Sequence, residues 1–238
     1  SQKGMKIVAC DYSQIELRLL AEVANIKPLI EAFKNNIDIH TLTASQVFMV
    51  NTDNVTSEMR RNAKTINFGI IYGQSAFGLA KQLNISRTEA KEYIELYFKQ
   101  YPGIKSYMEN TQEFARKNGY VETIYGRRCY IPSINDKNPM IRAGAERQAI
   151  NAPLQGAAAD IIKRSMKNFP EILIKEKIDA KLILQVHDEL IFECASIDLD
   201  RLIPIVKSKM INAPKPGFKM KVPLEVEIGI GNNWDEAH

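Results

Sequence analysis

The stretch Met59-Arg60-Arg61-Asn62-Ala63-Lys64-Thr65-Ile66-Asn67-Phe68-Gly69-Ile70-Ile71-Tyr72-Gly73 predicts a helix with a distinctive face. Four side chains recur on it at intervals of four residues: Arg60, Lys64, Phe68 and Tyr72. Each interval advances the face by about 40° and rises about 6 Å, so the four span roughly 18 Å. Two cations stand near the N-terminal end, where the helix dipole also attracts phosphate, and two rings stand at the other end. A nucleoside triphosphate has this polarity and about this length.

An ordinary structural role would explain the same spacing. Arginine and lysine at helical intervals usually form a solvated face, and aromatic residues at such intervals usually belong to a core. Thr56 and Ser57 are candidate caps for the start of this helix, and Glu58 suits its first turn. The spacing alone therefore leaves both interpretations open, and the rest of the chain has to decide between them.

Composition sets broad limits. The 238 residues are 45% hydrophobic, enough to build a packed core in one large domain or two small ones. Lys and Arg number 32 and Asp and Glu 28, so the net charge is +4, which permits a nucleic-acid partner without requiring one. The three cysteines are far apart and show no C-x-x-C spacing, which disfavours a zinc site and favours a reducing cytosol. No apolar run could cross a bilayer and no signal-peptide pattern is present, so we expect no membrane partner.

Two predicted strands from opposite ends of the sequence each lead to an aspartate. Residues 5–10 predict a buried strand that ends at Asp11, with Glu16 about one turn into the following helix. Residues 181–186 and 189–194 predict a tight hairpin with His187 and Asp188 at its tip. Adjacent strands lie about 4.8 Å apart, so their ends can bring two carboxylates onto shared cations. Such a site suits Mg²⁺, and two such ions can clamp an in-line phosphoryl transfer, although a single strand-end carboxylate is often only a cap.

Further elements follow from local signals. Ser86-Arg87-Thr88-Glu89 is a capping box that predicts a helix start, and a helix is expected over residues 104–117. Residues 140–166 predict a helix that Pro153 should break or kink. A last strand is expected over residues 222–228. His40, at the start of another predicted helix that opens at Asp38 and runs to residue 50, is more typical of a local hydrogen-bonding group than of a catalytic base.

Two polar features stay ambiguous at this level. Residues 120–125 and 129–131 predict a hairpin with Gly126-Arg127-Arg128 as a basic tip, which could contact phosphate or simply be solvated. Arg147, Asn151 and Gln155 recur at intervals of four on the predicted helix. Guanidinium and amide groups on one face can bind nucleic-acid edges or sugars, and they can equally form an ordinary polar face.

Three ordered motifs resemble those of the family A DNA polymerases of the bacterial DNA polymerase I type. Asp11-Tyr12-Ser13-Gln14-Ile15-Glu16-Leu17-Arg18 resembles motif A, Arg60-x3-Lys64-x3-Phe68-x3-Tyr72-Gly73 resembles motif B, and Val186-His187-Asp188-Glu189 resembles motif C. Gly119-Tyr120-Val121-Glu122-Thr123, Gly126-Arg127-Arg128 and Asn233-Trp234-Asp235-Glu236-Ala237-His238 are also similar to that family. The likeness extends from Gly4 to His238.

The resemblance implies an α+β fold. An antiparallel palm sheet with helices would be built from residues 1–26 and 148–238, with a mostly helical fingers subdomain, residues 27–147, inserted between the two palm segments. Members of the family have several hundred residues before motif A, including a thumb and nuclease-type domains. We therefore expect the chain to be the C-terminal palm-and-fingers portion of a longer protein.

The resemblance also implies residue roles. Asp11 and Asp188 would carry two Mg²⁺ ions, with Glu189 a further candidate although its neighbour already supplies a carboxylate. Lys64 would protonate the leaving pyrophosphate, and Glu16 would exclude ribonucleotides. The implied nucleotide-binding residues are Arg60, Lys64, Phe68, Tyr72, Glu16, Gln14 and His40. The implied primer–template contacts are Arg147, Asn151, Gln155, Gln185, His187 and Arg18.

The implied function is template-directed DNA synthesis in replication and repair. Its partners would be primer–template DNA and deoxynucleoside triphosphates, without an obligate protein partner, in the bacterial cytoplasm at the nucleoid. A two-metal phosphohydrolase or nuclease is the rival within enzymes, but it would not need the Arg60–Tyr72 face. A catalytically silent DNA-binding module is the rival from another class, and it predicts that replacing Asp188 with Asn changes no measurable property.

Overall fold

The computed structural model describes all 238 residues, Ser1–His238. The strands are β1 Met5–Tyr12, β2 Tyr120–Glu122, β3 Arg128–Tyr130, β4 Ala180–Val186, β5 Glu189–Ala195 and β6 Val226–Gly231. The helices are α1 Ile15–Val23, α2 Lys27–Lys34, α3 Ile39–Val47, α4 Ser57–Ile71, α5 Ala76–Leu83, α6 Arg87–Gln100, α7 Pro102–Asn118, α8 Pro139–Met166, α9 Phe169–Lys175, α10 Leu199–Asn212 and α11 Trp234–Ala237. None of the helices is long and apolar enough to cross a membrane.

The chain divides into two compact units. Ser1–Leu19 and Gly156–His238 form the first, which we call the sheet unit, and Leu20–Gln155 form the second, which we call the helical unit. The combination of an antiparallel sheet with many helices confirms the predicted α+β class. The palm and fingers bounds expected at residues 26 and 147 stay predictions.

Strand β1 is central to the sheet unit. The strand order is β4-β5-β1-β6, and every neighbouring pair is antiparallel. Side chains of β1 alternate between the two faces, as the pleat requires. One face carries Ile7 and Ala9, which pack with Ile191 and Ala237. Asp11, next but one after Ala9, therefore points to the same face as this cluster.

Two glycines of β6 provide the seat for the short helix α11. A Cβ added at Gly229 would collide with the carbonyl oxygen of Ala237, and one added at Gly231 would lie 2.5 Å from the Cβ of Glu236. Asn233 caps the helix by accepting a hydrogen bond from the backbone N–H of Glu236. Only glycine permits an approach this close, so β6 fixes the position of α11.

The helical unit is held by helix packing and by well-formed caps. The side chain of Thr56 caps α4, and the capping box predicted at Ser86 and Glu89 is confirmed at the start of α6. Helices α3 and α4 pack against each other, and a hydrogen bond of 3.1 Å from Thr43 to Asn67 joins them. Around the β2–β3 hairpin, a second core is formed by Ala115, Val121, Ile131, Ile134, Ala145 and Ala149.

Several sequence predictions were wrong at element ends. The last strand runs over Val226–Gly231 rather than residues 222–228, because Pro223 has no N–H to donate to the sheet. Strands β2 and β3 are only three residues each, and Arg128 lies in β3, where its side chain pairs with Glu122 rather than extending the hairpin tip. The helix expected over residues 38–50 is α3, which Asp38 caps and which ends at Val47.

Pro153 does not break α8, which continues for 28 residues. A proline removes one hydrogen bond and crowds the preceding turn. In that turn the hydroxyl of Tyr107 donates to the carbonyl oxygen of Ile150 at 2.9 Å, which supplies a donor where the helix ladder is weakened. Helix α5 was not predicted, since Gly73 just before it and Gly78 inside it resemble a loop signal. The side chain of Ser75 caps this helix.

Replacing Gly229 with Ala should destabilise the sheet unit and displace α11. The added methyl group has to push away backbone, and overpacking of this kind typically costs about 1–3 kcal/mol. Thermal unfolding followed by circular dichroism measures the loss, and the fluorescence of Trp234, the one tryptophan of the chain, reports the local displacement. Gly144→Ala is the control: its site is open and helical, so that variant should gain up to about 1 kcal/mol. If the two variants were equally stable, the close packing of α11 on Gly229 would be contradicted.

Candidate active site

Acidic side chains gather at one end of the sheet unit. Asp11 lies opposite Glu189 on β5 and opposite Glu227 on β6. Asp188 sits at the β4–β5 hairpin tip, and its carbonyl oxygen accepts a 3.2 Å hydrogen bond from the backbone N–H of Tyr12. The antiparallel pairing of β4 with β5 confirms the predicted hairpin, and the hydrogen bond ties its tip to the residue that follows Asp11.

The electrostatics of this cluster are unfavourable without a cation. Burial, followed by repulsion from Asp188, Glu189 and Glu227, raises the pKa of Asp11 from 3.8 to about 6. Burial is also the main reason that the pKa of Asp188 is raised. Half-buried carboxylates that repel one another attract a divalent cation, because the metal replaces repulsion with attraction.

The donor set is appropriate for Mg²⁺. No group of three or more His, Cys, Asp or Glu side chains is arranged to hold a metal ion. Magnesium commonly takes one or two protein carboxylates and completes its octahedron with water and substrate phosphate. Asp11 and Asp188 match that pattern, and they are the residues that would hold the ion.

Glu189 is held in a different way from the two aspartates. Its side chain is buried, and both carboxylate oxygens lie 3.3 Å from the indole Nε1 of Trp234. The Nδ1 of His238 lies 3.4 Å from one of the same oxygens. Helix α11 therefore fixes Glu189 in place, and its role as a metal ligand stays a prediction.

Helix α4 carries the predicted nucleotide face. Phe68 and Tyr72 have their rings stacked with centroids 6.0 Å apart, and Tyr72 forms the C-cap of the helix rather than its last turn. The Nε of Arg60 donates to Asp38 at 2.5 Å. Buried residues of the opposite side, among them Ala63, pack α4 into the helical unit. On the predicted nucleotide face Arg60 and Lys64 are exposed, whereas Phe68 and Tyr72 are half-buried.

His40 belongs to a buried polar network next to this face. Thr43 donates to Oδ1 of Asn67, which orients the amide so that its Nδ2 donates to Nδ1 of His40 at 3.1 Å. This network assigns the imidazole proton to Nε2. Burial lowers the pKa of His40 to about 4, so the ring is neutral near pH 7; Asp38 opposes this shift, and Arg60 and Lys64 add to it. Its ring lies 5.9 Å from that of Phe68.

A groove of about 670 Å³ lies along α4. Its lining includes Arg61, Lys64, Phe68, Tyr72, Gln74 and Arg147. Arg147 reaches it from α8, and a Cβ on Gly73 would lie 3.0 Å from the Cγ of Arg147. Gly73 has a φ of +70°, which glycine adopts readily in the turn after α4. Its lack of a side chain also leaves room for Arg147.

Several predicted DNA-contact residues form hydrogen bonds within the protein. Arg18 is buried, and its guanidinium binds Glu225 at 2.7 Å and the carbonyl oxygens of Ser13 and Pro223. That geometry gives Arg18 a structural role in the sheet unit, and its DNA contact stays a prediction. Gln185 donates to the carbonyl oxygen of His187, which itself has a φ of +52° at the hairpin tip.

Two further predicted residues have buried polar ends. Oε1 of Gln14 and Oδ1 of Asn151 are buried side-chain oxygens without a hydrogen-bond partner. Their contacts with nucleotide and DNA stay predictions. Gln155 is exposed on the same stripe of α8 as Asn151, and Glu16 lies in the first turn of α1.

The sequence did not single out Asp38, Asn67 or Trp234 as site residues. Asp38 carries a capping signal before α3, but its pairing with Arg60 joins residues 22 apart in sequence. Trp234 reaches Glu189 from a position 45 residues away. Pairings over such separations are set by the tertiary fold and leave no local signal.

Comparison with known proteins gives a consistent result. The family model described as DNA polymerase family A matches residues 1–236. DNA polymerase I of Rhizobium leguminosarum is 51% identical over 240 residues, which cover 100% of this chain and 24% of that protein. DNA polymerase I of Bacillus caldotenax is 48% identical, and the match covers 100% of this chain and 27% of that protein. The chain thus spans about a quarter of the length of these relatives.

A solved structure is also similar over the whole chain. It is described as the POL domain of Pol1 from M. smegmatis in complex with DNA primer-template and dNTP. The TM-score is 0.93 at 42% sequence identity, and the match covers 100% of this chain and 41% of that one.

The acid cluster predicts a measurable titration of Asp11. Its carboxyl carbon, followed by NMR, should titrate near pH 6, and divalent-cation binding should weaken as pH falls through that value, since the protonated acid is not a ligand. Asp188→Asn should lower the midpoint by removing one repulsion, but not to 3.8, because burial remains the largest cause. Asp200→Asn, at an exposed residue of α10, is the control and should change nothing. An unaltered Asp11 midpoint in Asp188→Asn would mean that the two acids do not interact.

Proposed function

Because the chain belongs to DNA polymerase family A, we propose that it carries the nucleotidyl-transfer centre of a template-directed DNA polymerase that acts in replication and repair. The observation that carries the proposal is the presence of two features in one chain. One is the repelling carboxylate pair Asp11 and Asp188, and the other is the cation-to-ring face of α4. The substrates would be deoxynucleoside triphosphates and primer–template DNA, in the bacterial cytoplasm at the nucleoid.

The proposed reaction joins the primer 3′-oxygen to the α-phosphorus of the triphosphate while the bond to pyrophosphate breaks. Asp11 and Asp188 would hold two Mg²⁺ ions, which supply charge neutralisation to the attacking and leaving oxygens. Lys64 would give a proton to the leaving pyrophosphate, so that the charge on the product is reduced. The proton of the primer hydroxyl would pass to solvent.

The α4 face would bind and orient the nucleotide. Arg60 and Lys64 would pair with the triphosphate, and Phe68 would stack on the nucleotide. The neutral His40 would donate from Nε2, the nitrogen that Asn67 leaves free, without adding a full charge. Tyr72 would lie by the templating base.

Further residues would determine selectivity for DNA. Glu16 would crowd the sugar 2′ position, with Gln14 beside it, and so exclude ribonucleotides. Primer–template contacts would come from Arg147, Asn151, Gln155, Gln185, His187 and Arg18. In this scheme residues 27–147 act as fingers, and residues 1–26 and 148–238 act as palm.

The two rival functions are less well supported. A phosphohydrolase needs metal-binding acids but has no use for stacked rings one helical turn beyond a pair of cations. A silent DNA-binding module has no use for mutually repelling, half-buried carboxylates, which lower stability when ionised. The polymerase proposal gives both features a role.

Primer extension with Mg²⁺ and the four deoxynucleotides tests the proposal. We expect this chain alone to extend primers slowly, and a longer protein that adds the upstream region of the relatives to extend them much faster. Duplex binding rests on many phosphate contacts, and losing several of them weakens affinity by orders of magnitude at physiological salt.

Asp188→Asn is the decisive variant in both proteins, and it should abolish extension. If the longer protein carrying Asp188→Asn extends primers as well as its unmodified parent, the proposed function is wrong. If this chain alone matches the longer protein in rate, the expectation about the upstream region is wrong and the catalytic proposal stands.

A further inference from the structure

We propose that Asp38 is a positioning residue: a fixed counter-anion that holds Arg60 until a triphosphate displaces it, and that thereby sets the affinity of the site for polyphosphate. This inference rests on the proposed function, because it assigns the ligand class of the same α4 face. The sequence motifs contain Arg60 but not Asp38, which precedes it by 22 residues.

The contact is geometrically well defined. Nε of Arg60 lies 2.5 Å from Oδ2 of Asp38, and the two side chains are 48% and 36% exposed. An anionic ligand arriving from solvent can therefore reach the guanidinium without unfolding any element. Arginine binds carboxylate and phosphate through the same planar array of N–H groups, so the two anions compete for it.

Asp38 keeps its position independently of Arg60. Oδ1 accepts hydrogen bonds from the backbone N–H groups of His40 and Thr41, and Oδ2 accepts one from the hydroxyl of Thr41. Partial burial raises the pKa of Asp38, but the bonds from Arg60, Thr41 and His40 outweigh it and lower the pKa overall. The carboxylate is thus ionised at neutral pH and remains in place when Arg60 turns away.

The charges around the α4 face determine how strongly it attracts a polyphosphate. Arg60 and Lys64 supply two positive charges to the face, His40 supplies none at pH 7, and Asp38 subtracts one. A triphosphate must overcome the loss of the Arg60–Asp38 bond and the repulsion from Asp38. The triphosphate does so by binding Arg60 through its own phosphate oxygens. After transfer, the return of Arg60 to Asp38 favours release of the pyrophosphate product.

The substitution Asp38→Asn removes the negative charge that holds Arg60 but retains the helix cap. Asparagine caps a helix about as well as aspartate and can still accept the bond from the His40 N–H, but it offers Arg60 no charge. Binding of tripolyphosphate to the 238-residue chain, measured by calorimetry at low salt in the presence of EDTA, should become about three- to tenfold tighter. The gain should vanish in an Arg60→Gln background, where there is no guanidinium to release.

Glu58→Gln is the matched control. Glu58 lies in the first turn of α4, and its substitution removes the same charge, but its partner is Arg61, at 4.0 Å. This variant should leave tripolyphosphate affinity within about twofold of the parent, since an exposed ion pair of this kind contributes little. Asp38→Ser, which retains a capping hydroxyl, replaces Asp38→Asn if the latter unfolds.

The outcomes are distinct. Tighter binding in Asp38→Asn that depends on Arg60 supports the inference. Unchanged or weaker binding overturns it, since weaker binding would mean that Asp38 orients Arg60 for its ligand. An equal gain in Glu58→Gln also overturns it, because general charge would then explain the effect. None of these measurements uses a primer, so failure of the proposed polymerase activity would appear separately in the extension assay.

Discussion

Repulsion among carboxylates at one end of the sheet unit is the constraint on which the candidate site depends. Asp11 faces Glu189 and Glu227 across the sheet, and the hairpin brings Asp188 beside them. The fold keeps these groups together because β1 is paired on both sides and because α11, seated on two glycines of β6, holds Glu189 through Trp234. The fold thereby holds like charges close together, which contributes to the raised pKa of Asp11.

The helical unit presents positively charged side chains and two aromatic rings on one face of α4. Helix α4 packs against α3, and the Thr43–Asn67 hydrogen bond joins the two helices, while Arg60 and Lys64 on the other face are exposed. The same hydrogen bond orients Asn67 towards His40, and burial lowers the pKa of that histidine. One packed interface therefore determines where the cations, the rings and a neutral donor lie.

Local signals in the sequence were sufficient for much of the fold. Alternation and apolar runs predicted β1 and the β4–β5 hairpin, and capping chemistry predicted the start of α6. Residue spacing and strand ends led to the predictions of a nucleotide face on α4 and of the paired aspartates, and the roles of these residues stay predictions. Pairings across the fold could not be predicted: Asp38 with Arg60, Trp234 with Glu189, and Arg18 with Glu225 each join residues that only the tertiary structure brings together. The bounds of β6 failed because Pro223 sits inside an apolar run.

The central claim is that Asp11 and Asp188 form one divalent-cation site. A crystal structure of a Mn²⁺-loaded complex with primer–template DNA and a non-hydrolysable deoxynucleotide tests it most directly, because manganese gives anomalous scattering at the site of Mg²⁺. The account predicts an anomalous peak bonded to oxygens of both carboxylates, which should lie roughly 4–6 Å apart given metal–oxygen distances of about 2.0–2.1 Å. Carboxylates more than about 10 Å apart, or manganese bound elsewhere, would contradict it.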